Sequence, residues 1–483
     1  MKKTVLYTLL FAVTVAAGYA VWSRCFARRS LVILSTTDVH AKIDNLPRLA
    51  SAVAMCRDTV PTLLADAGDR WTGNAFVDMA EEPCRPVIDM MNDLGYDIAT
   101  LGNHEFDRGQ AFLGRMNSDV CRFGIVCANC LSDTVTFPQP EPYRIIRRGG
   151  VRIGVVGVVT NYDHNDHPAG NDANFVGLTF PDPQDAAAKY AAELKGRCDV
   201  LVLLSHMGDD MDAELARKCD DYDLILCGHT HNVVDTLING TLLGQSGYGA
   251  KHVGVTRIEM RGRRIVGLEY DAVPLADYEP DPDFMQRVAA VYDNEALNRP
   301  LGESKRILTR VGLAAWETDA MCRRTDADVA FYHYGGIRFD SLPDRAISTG
   351  MIFSLEPFSS KLCTMDMTPE RMRRMIIAKY NDTDNPKESH RVDLFSNVPY
   401  SIVTDADGEA CDVVFEGLVE GRTYRVVMGD YMYNNYKAVE AENAVCEDIL
   451  LTEVLMDDLR ANSPIDYSNE RVQWIVRDGV RDL

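Results

Sequence analysis

The chain has 483 residues, 46% of them apolar and 25% charged, which describes a globular protein with cores enough for two domains. Its formal net charge of -22 excludes the backbone of long nucleic acids as a general partner, because such binding rests on Lys and Arg neutralising phosphates. A small phosphorylated ligand is not excluded, since a metal or a local arginine cluster overrides the distant field.

Residues 1–30 open on Lys2 and Lys3, continue as an apolar run from Val5 to Val21, and close among Arg24, Arg28 and Arg29. That order is expected of a signal peptide or of a retained membrane anchor, and either would export the rest of the chain to the periplasm or cell envelope. Trp22, Ser23 and Arg24 are not the small and aliphatic residues that precede a lipidated cysteine, so Cys25 is not read as one. The thirteen cysteines follow no regular framework and predict buried free thiols or a weakly oxidising compartment. A solitary CANC pair, Cys127 and Cys130, does not make a zinc site.

Short aliphatic runs then alternate with helix-like stretches. LVILST (31–36), TLLAD (62–66), DIATL (97–101), VRIGVVGVV (151–159), DVLVLLS (199–205) and DLILC (223–227) read as buried strands, with helices expected near 48–56 and 186–194. This pattern predicts a layered α/β domain. Beyond Cys227 the alternation strengthens, as for hairpin-joined strands, and the Pro- and Asp-rich stretch 274–284 reads as a boundary before a linker helix. The expected organisation is a signal or anchor segment at 1–30, a first domain at 31–273, a linker at 274–299 and a mixed α+β domain at 300–483.

Each strand of the first domain leads at once into side chains able to bind a metal. The exits read TTDVH, DAGDR, LGNHEFD, SHMGDD and CGHTH, and contribute Asp38, His40, Asp69, Asn103, His104, His206, His229 and His231. The carboxyl ends of strands in such a sheet line one crevice, so remote positions converge there. Carboxylate, imidazole and amide oxygen suit divalent Mn, Zn, Mg, Fe or Co, and two ions about 3.5–4 Å apart need a shared carboxylate. Asp69 is assigned as that bridge, with Asp38, His40 and His231 on one ion and Asn103, His206 and His229 on the other. His104 and Asp107 stand three apart, so a helical turn would let Asp107 orient the imidazole beside the metals. His252 and His390 lack this context and read as structural or surface residues, while His164 and His167 lie in a polar rim loop.

Taken together, TTDVH, GDR, GNHEFD, SHMG and GHTH resemble the calcineurin-like metallophosphoesterases, and the two-domain layout resembles the exported bacterial 5'-nucleotidases. The resemblance implies a four-layer αββα catalytic domain followed by a substrate domain. It also implies two metals on Asp38, His40, Asp69, Asn103, His206, His229 and His231, with His104 and Asp107 as a catalytic dyad. In the second domain it carries over Arg338 of YGGIR and Arg310 as phosphate contacts. Tyr400 and Tyr431 are the pair chosen for stacking on a base, with Tyr436 in reserve. Departures are plain: His333 and Tyr334 stand before the paired glycines where the family has Asn, and Ser360 replaces another Asn. The expected activity is hydrolysis of nucleoside 5'-monophosphates. A 2',3'-cyclic nucleotide, a dinucleotide or a nucleotide sugar is the alternative substrate, and an inactive binding protein the remote one.

Overall fold

The structure is a computed structural model, which describes residues 26–162, 166–382, 389–477 and 480–482. The expected signal or anchor segment up to residue 25, and His164, lie outside the described residues. No helix among the described residues is long and apolar enough to cross a membrane.

Two compact units divide the chain. The first comprises the described residues of Met1–Trp71, Arg85–Asn161 and Asn165–Ala290, and the second those of Thr72–Cys84, Tyr162–His164 and Val291–Leu483. The break therefore falls inside the helix Pro282–Tyr292, and a short stretch before Arg85 belongs to the second unit.

The first unit is built on two six-stranded sheets. One runs in the order Arg264–Pro274, His252–Arg261, Arg28–Thr36, Thr62–Asp66, Ile98–Ala99 and Gly124–Ile125. The other runs Val233–Ile238, Thr241–Ser246, Leu224–Cys227, Val200–His206, Val151–Val159 and Tyr143–Arg148. Their inner faces share one core, in which Leu31, Ile33 and Leu63 of the first sheet meet Ile153, Val155, Val202 and Leu224 of the second, all nearly inaccessible to water. Burial on both faces is why these strands read as continuous aliphatic runs rather than alternating ones. The helix Leu46–Thr59 packs on the first sheet with Arg85–Leu94 beside it, and Pro183–Leu194 and Asp209–Lys218 cover the second. Proline stands in the first turn of three of them, at Pro47, Pro86 and Pro183, and Asp182 caps one by accepting from the Asp185 N–H. The result is the αββα layering expected from the sequence.

The second unit carries a five-stranded sheet in the order Leu394–Ser396, Val329–His333, Tyr424–Gly429, Lys361–Met367 and Glu442–Leu450. One face packs a core with Leu313, Trp316 and Leu455, and the other packs Met372, Met375 and Ile376 of the helix Pro369–Tyr380. A disulfide joins Cys363 to Cys446 across two paired strands. Ten other described cysteines are free thiols, and Cys127 and Cys130 are fully buried among them.

Candidate metal centre

Parallel pairing brings the strand exits to one edge. Arg28–Thr36 runs parallel to Thr62–Asp66, which runs parallel to Ile98–Ala99, and Val200–His206 runs parallel to Leu224–Cys227. Asp38, Asp69, Asn103, His206 and His229 lie at the ends of those strands or within a few residues beyond, so they emerge on the same side. The turns carrying them are strained. Asp38, His40, Asp69, His229 and His231 all have positive φ, between 48° and 79°, a region that costs a non-glycine residue roughly 1–2 kcal/mol. Backbone hydrogen bonds hold them there: Asp38 N–H donates to the Gly68 carbonyl and His40 N–H to the Asp69 carbonyl, each at 3.0 Å.

The side chains converge. Asp69 Oδ2 has His206 Nε2 at 3.1 Å, His40 Nε2 at 3.8 Å and His104 Nε2 at 4.0 Å. Asp38 Oδ1 has His231 Nε2 at 3.5 Å, His206 Nε2 at 3.8 Å and His40 Nε2 at 3.9 Å. His229 Nδ1 meets Asn103 Oδ1 at 3.0 Å, and its backbone N–H donates to Asp38. Three groupings therefore place their donor atoms within one ion's reach: Asp38, His40 and His231; His40, Asp69 and His104; and Asp38, Asp69 and His206. Two glycines make this closeness feasible. A Cβ on Gly102 would lie 2.2 Å from Asp69 Oδ1, and one on Gly228 2.7 Å from His206 Nδ1.

Electrostatics match the geometry. Burial pushes the Asp38 and Asp69 carboxyls up, but His206 and the other imidazoles pull harder and hold both well below the usual carboxylate range. For His206, burial opposes charge, yet Asp69 and Asp38 raise its proton affinity to about 10. The residues fit a cation by a separate test. His206 Nε2 is a buried nitrogen with no well-aligned hydrogen bond, aimed at two carboxylates, while its Nδ1 is fixed by the Ala67 carbonyl at 2.7 Å. Imidazole, carboxylate and amide oxygen in this mixture are ligands for a borderline or hard divalent ion.

His104 stands apart. The predicted turn is a short 3-10 helix, His104–Phe106, which brings His104 Nδ1 to 2.8 Å from Asp107 Oδ2. Trp71 Nε1–H donates to the His104 carbonyl at 2.8 Å, and the His104 N–H donates to Asp69 Oδ1 at 2.8 Å. Behind the cluster, the Glu105 carboxylate accepts the backbone N–H groups of Asp69, Arg70 and Gly102. Arg70, fully buried, lies between Glu105 and Asp66, whose pKa burial pushes up to about 7. Glu105, Arg70 and Asp66 are not among the site residues expected from the sequence. The GDR tripeptide, with an arginine directly after a ligand, is the available signal.

The second unit separates the residues chosen there for substrate. Tyr400 is a correction: it is 1% exposed, sits in the core beside Met372 and Met375, and donates its hydroxyl to the Leu394 carbonyl. Its strand alternates, and Tyr400 falls on the inward face, so it has no ring face for a base. Tyr431 and Tyr436 are half-buried and gather around His333, with ring centroids 5.1 and 6.2 Å away. The Arg310 guanidinium lies 4.2 Å from the Tyr334 ring centroid and donates to Asp340 at 2.9 Å. Arg391, which the sequence reading missed, lies 4.8 Å from the same ring and donates to Asp393 at 3.1 Å. Arg338 lies 5.6 Å from the Phe358 ring. His390 pairs with Glu409, and His167 stacks on Phe175 at 4.2 Å.

Known proteins share this architecture. Residues 31–233 match the calcineurin-like phosphoesterase family and residues 288–441 the 5'-nucleotidase C-terminal domain. The chain is 27% identical over 420 residues to the endonuclease YhcR of Bacillus subtilis, covering 74% of this chain and 33% of that protein, and so spans about a third of that relative's length. It is 25% identical over 474 residues to a 5'-nucleotidase of Vibrio cholerae, covering 84% of this chain and 83% of that one. The solved structure of a 5'-nucleotidase precursor from Thermus thermophilus shares the fold, with a TM-score of 0.80 at 21% identity over 92% of this chain and 99% of the other. The chain belongs to the calcineurin-like phosphoesterases that carry a C-terminal 5'-nucleotidase domain.

Proposed function

We propose that this protein is an exported, metal-dependent hydrolase that releases phosphate from nucleoside 5'-monophosphates. The observation that carries the reading is the convergence of His206, His40 and His104 on one oxygen of Asp69. In this reading Asp38, His40, Asp69 and His231 would hold one divalent cation, and Asp69, Asn103, His206 and His229 a second. When bound, such cations supply Lewis acidity, which neutralises phosphate charge and makes water a better nucleophile near neutral pH.

The chain's own residues do the remainder. Asp69 is buried and fixed through its backbone by Glu105, so the ligand geometry is set before substrate arrives. Asp107 would accept a hydrogen bond from His104 Nδ1–H and stabilise the imidazolium, leaving the Nε2 proton to be given to the departing ester oxygen. Arg310 and Arg338 of the second unit would contact phosphate, and Tyr431 and Tyr436 would stack on the base. Residues 274–299 link the catalytic and substrate domains in this reading.

The same centre would also serve a 2',3'-cyclic nucleotide or a nucleotide sugar, and with Tyr400 withdrawn into the core, Tyr431 and Tyr436 are left to stack on the base in each case. Product formation decides between them, with Mn, Zn, Mg or Co supplied in turn: adenosine and phosphate from AMP, a nucleoside monophosphate from a 2',3'-cyclic nucleotide, and UMP with glucose 1-phosphate from UDP-glucose. Release from AMP at more than about ten times the rate of the others is expected. Equal or faster turnover of the cyclic nucleotide or sugar diphosphate would replace the monophosphate reading.

A further inference from the structure

The imidazoles of the centre are held in place by different means. His206 is locked by the Ala67 carbonyl on Nδ1, and His104 by the Asp107 carboxylate on Nδ1. His231 is the more exposed ligand, at 32% for its side chain, compared with 2% for His40 and 0% for His206. Its Nε2 faces inward to His40 at 3.0 Å and Asp38 at 3.5 Å. Against its ring lies that of Tyr248, nearly parallel, with an interplanar angle of 18° and centroids 4.9 Å apart.

Tyr248 is itself pinned. The loop that carries it turns through three left-handed residues, Gly247, Gly249 and Ala250, with φ of 76°, 65° and 50°. The Gly249 N–H donates to the Asp38 carbonyl at 2.7 Å, which ties the loop to the backbone of a ligand. The Lys251 ammonium donates to the Tyr248 hydroxyl at 2.8 Å and lies 4.0 Å from its ring centroid. The Lys251 carbonyl accepts from the Leu275 N–H at 2.9 Å, which anchors the far end of the loop.

We propose that Tyr248 is a positioning residue for His231, its ring face fixing the imidazole plane in the way a hydrogen-bonded carbonyl fixes His206 and a carboxylate fixes His104. The inference rests on the metal-centre reading above and names a residue that contacts a ligand side chain rather than substrate. A ring stack restricts rotation about the last side-chain bond of His231 without drawing on its second nitrogen. Hydrogen-bonded outer partners of a ligand, when removed, cost about 10- to 100-fold in metal affinity, and a stack that does the same positioning is placed at the low end of that range. Lys251 holds the tyrosine, so its own removal has the smaller effect.

The test is Mn2+ titration of the full chain, followed by the electron paramagnetic resonance signal of free Mn2+, for wild type, Tyr248→Phe, Tyr248→Ala and Lys251→Met. Circular dichroism melting checks that each variant is folded. Tyr248→Ala is expected to weaken one manganese site about tenfold, with Tyr248→Phe and Lys251→Met within about threefold of wild type. Unchanged affinity in a folded Tyr248→Ala protein overturns the inference, as does a loss in Tyr248→Phe equal to that in Tyr248→Ala, which would assign the effect to the hydroxyl. Should Tyr248→Ala fail to fold, Tyr248→Leu keeps the bulk without the aromatic face and must show the same loss of about tenfold. If wild type binds no manganese, the metal-centre reading fails first and takes this one with it, an outcome distinct from binding that ignores Tyr248.

Discussion

Glu105 accepts the backbone N–H of Asp69 at 2.9 Å, and that bond, with the His104 N–H on Oδ1 at 2.8 Å, holds Asp69, on whose carboxylate three imidazoles converge. The Glu105 carboxylate also takes the N–H groups of Arg70 and Gly102, so it closes the turn after one strand onto the turn after the next. Glu105→Gln keeps the shape but leaves one acceptor where two stood, next to a donor that must then go unpaired. A loss of about 1–3 kcal/mol in unfolding free energy is expected, together with weaker Mn2+ binding. Denaturant melts and a manganese titration check both.

The Asp107 carboxylate meets His104 through the 2.8 Å contact at Nδ1. Asp107→Asn should lower kcat by about a hundredfold while metal content and melting temperature stay at wild-type levels. Steady-state kinetics beside metal analysis is the check, and a fall in metal content would move Asp107 into the ligand scaffold.

The aromatic residues of the second unit separate into core and site. Tyr400→Phe removes a buried hydroxyl that donates to the Leu394 carbonyl, so it should cost about 1 kcal/mol of stability and leave the KM for AMP unchanged. Tyr431→Ala should raise that KM about tenfold or more, from a lost stack of about 1–3 kcal/mol, and leave stability nearly intact. Paired melts and kinetics of the two variants check the division.

Acid stability has a named contributor in Asp199. Burial pushes its carboxyl up, but hydrogen bonds from Arg152 and Arg263 prevail and hold it at about 2. A carboxyl lowered on folding stabilises above its unfolded pKa, near about 3.9, and that contribution is lost as pH falls through the folded value. The stability gap between wild type and Asp199→Asn should therefore be full above about pH 4 and shrink toward about pH 2. Urea melts across that range check it, and a gap independent of pH would show that Asp199 acts by packing.

Much of this was legible in the sequence for a physical reason. Strands buried on both faces announce themselves as aliphatic runs, and a histidine or aspartate directly after such a run has only the sheet edge to occupy. Asp38, Asp69 and His206 were readable on that basis. DIATL promised a longer strand than the two-residue Ile98–Ala99, because Leu101 and Gly102 already turn toward Asp69. Tyr400 misled because a tyrosine at the start of an alternating strand reads the same whether its ring turns in or out. Tyr248 was invisible for a different reason: its role depends on a ring stacked against a histidine from a separate loop, and only the fold brings them together.

If Asp69 is the carboxylate shared by two divalent cations, anomalous diffraction from a manganese-loaded crystal will show two peaks flanking it, one beside His40 and His231 and one beside His206 and His229. A single peak away from Asp69, or none within ligand distance of these histidines, is incompatible with a shared Asp69.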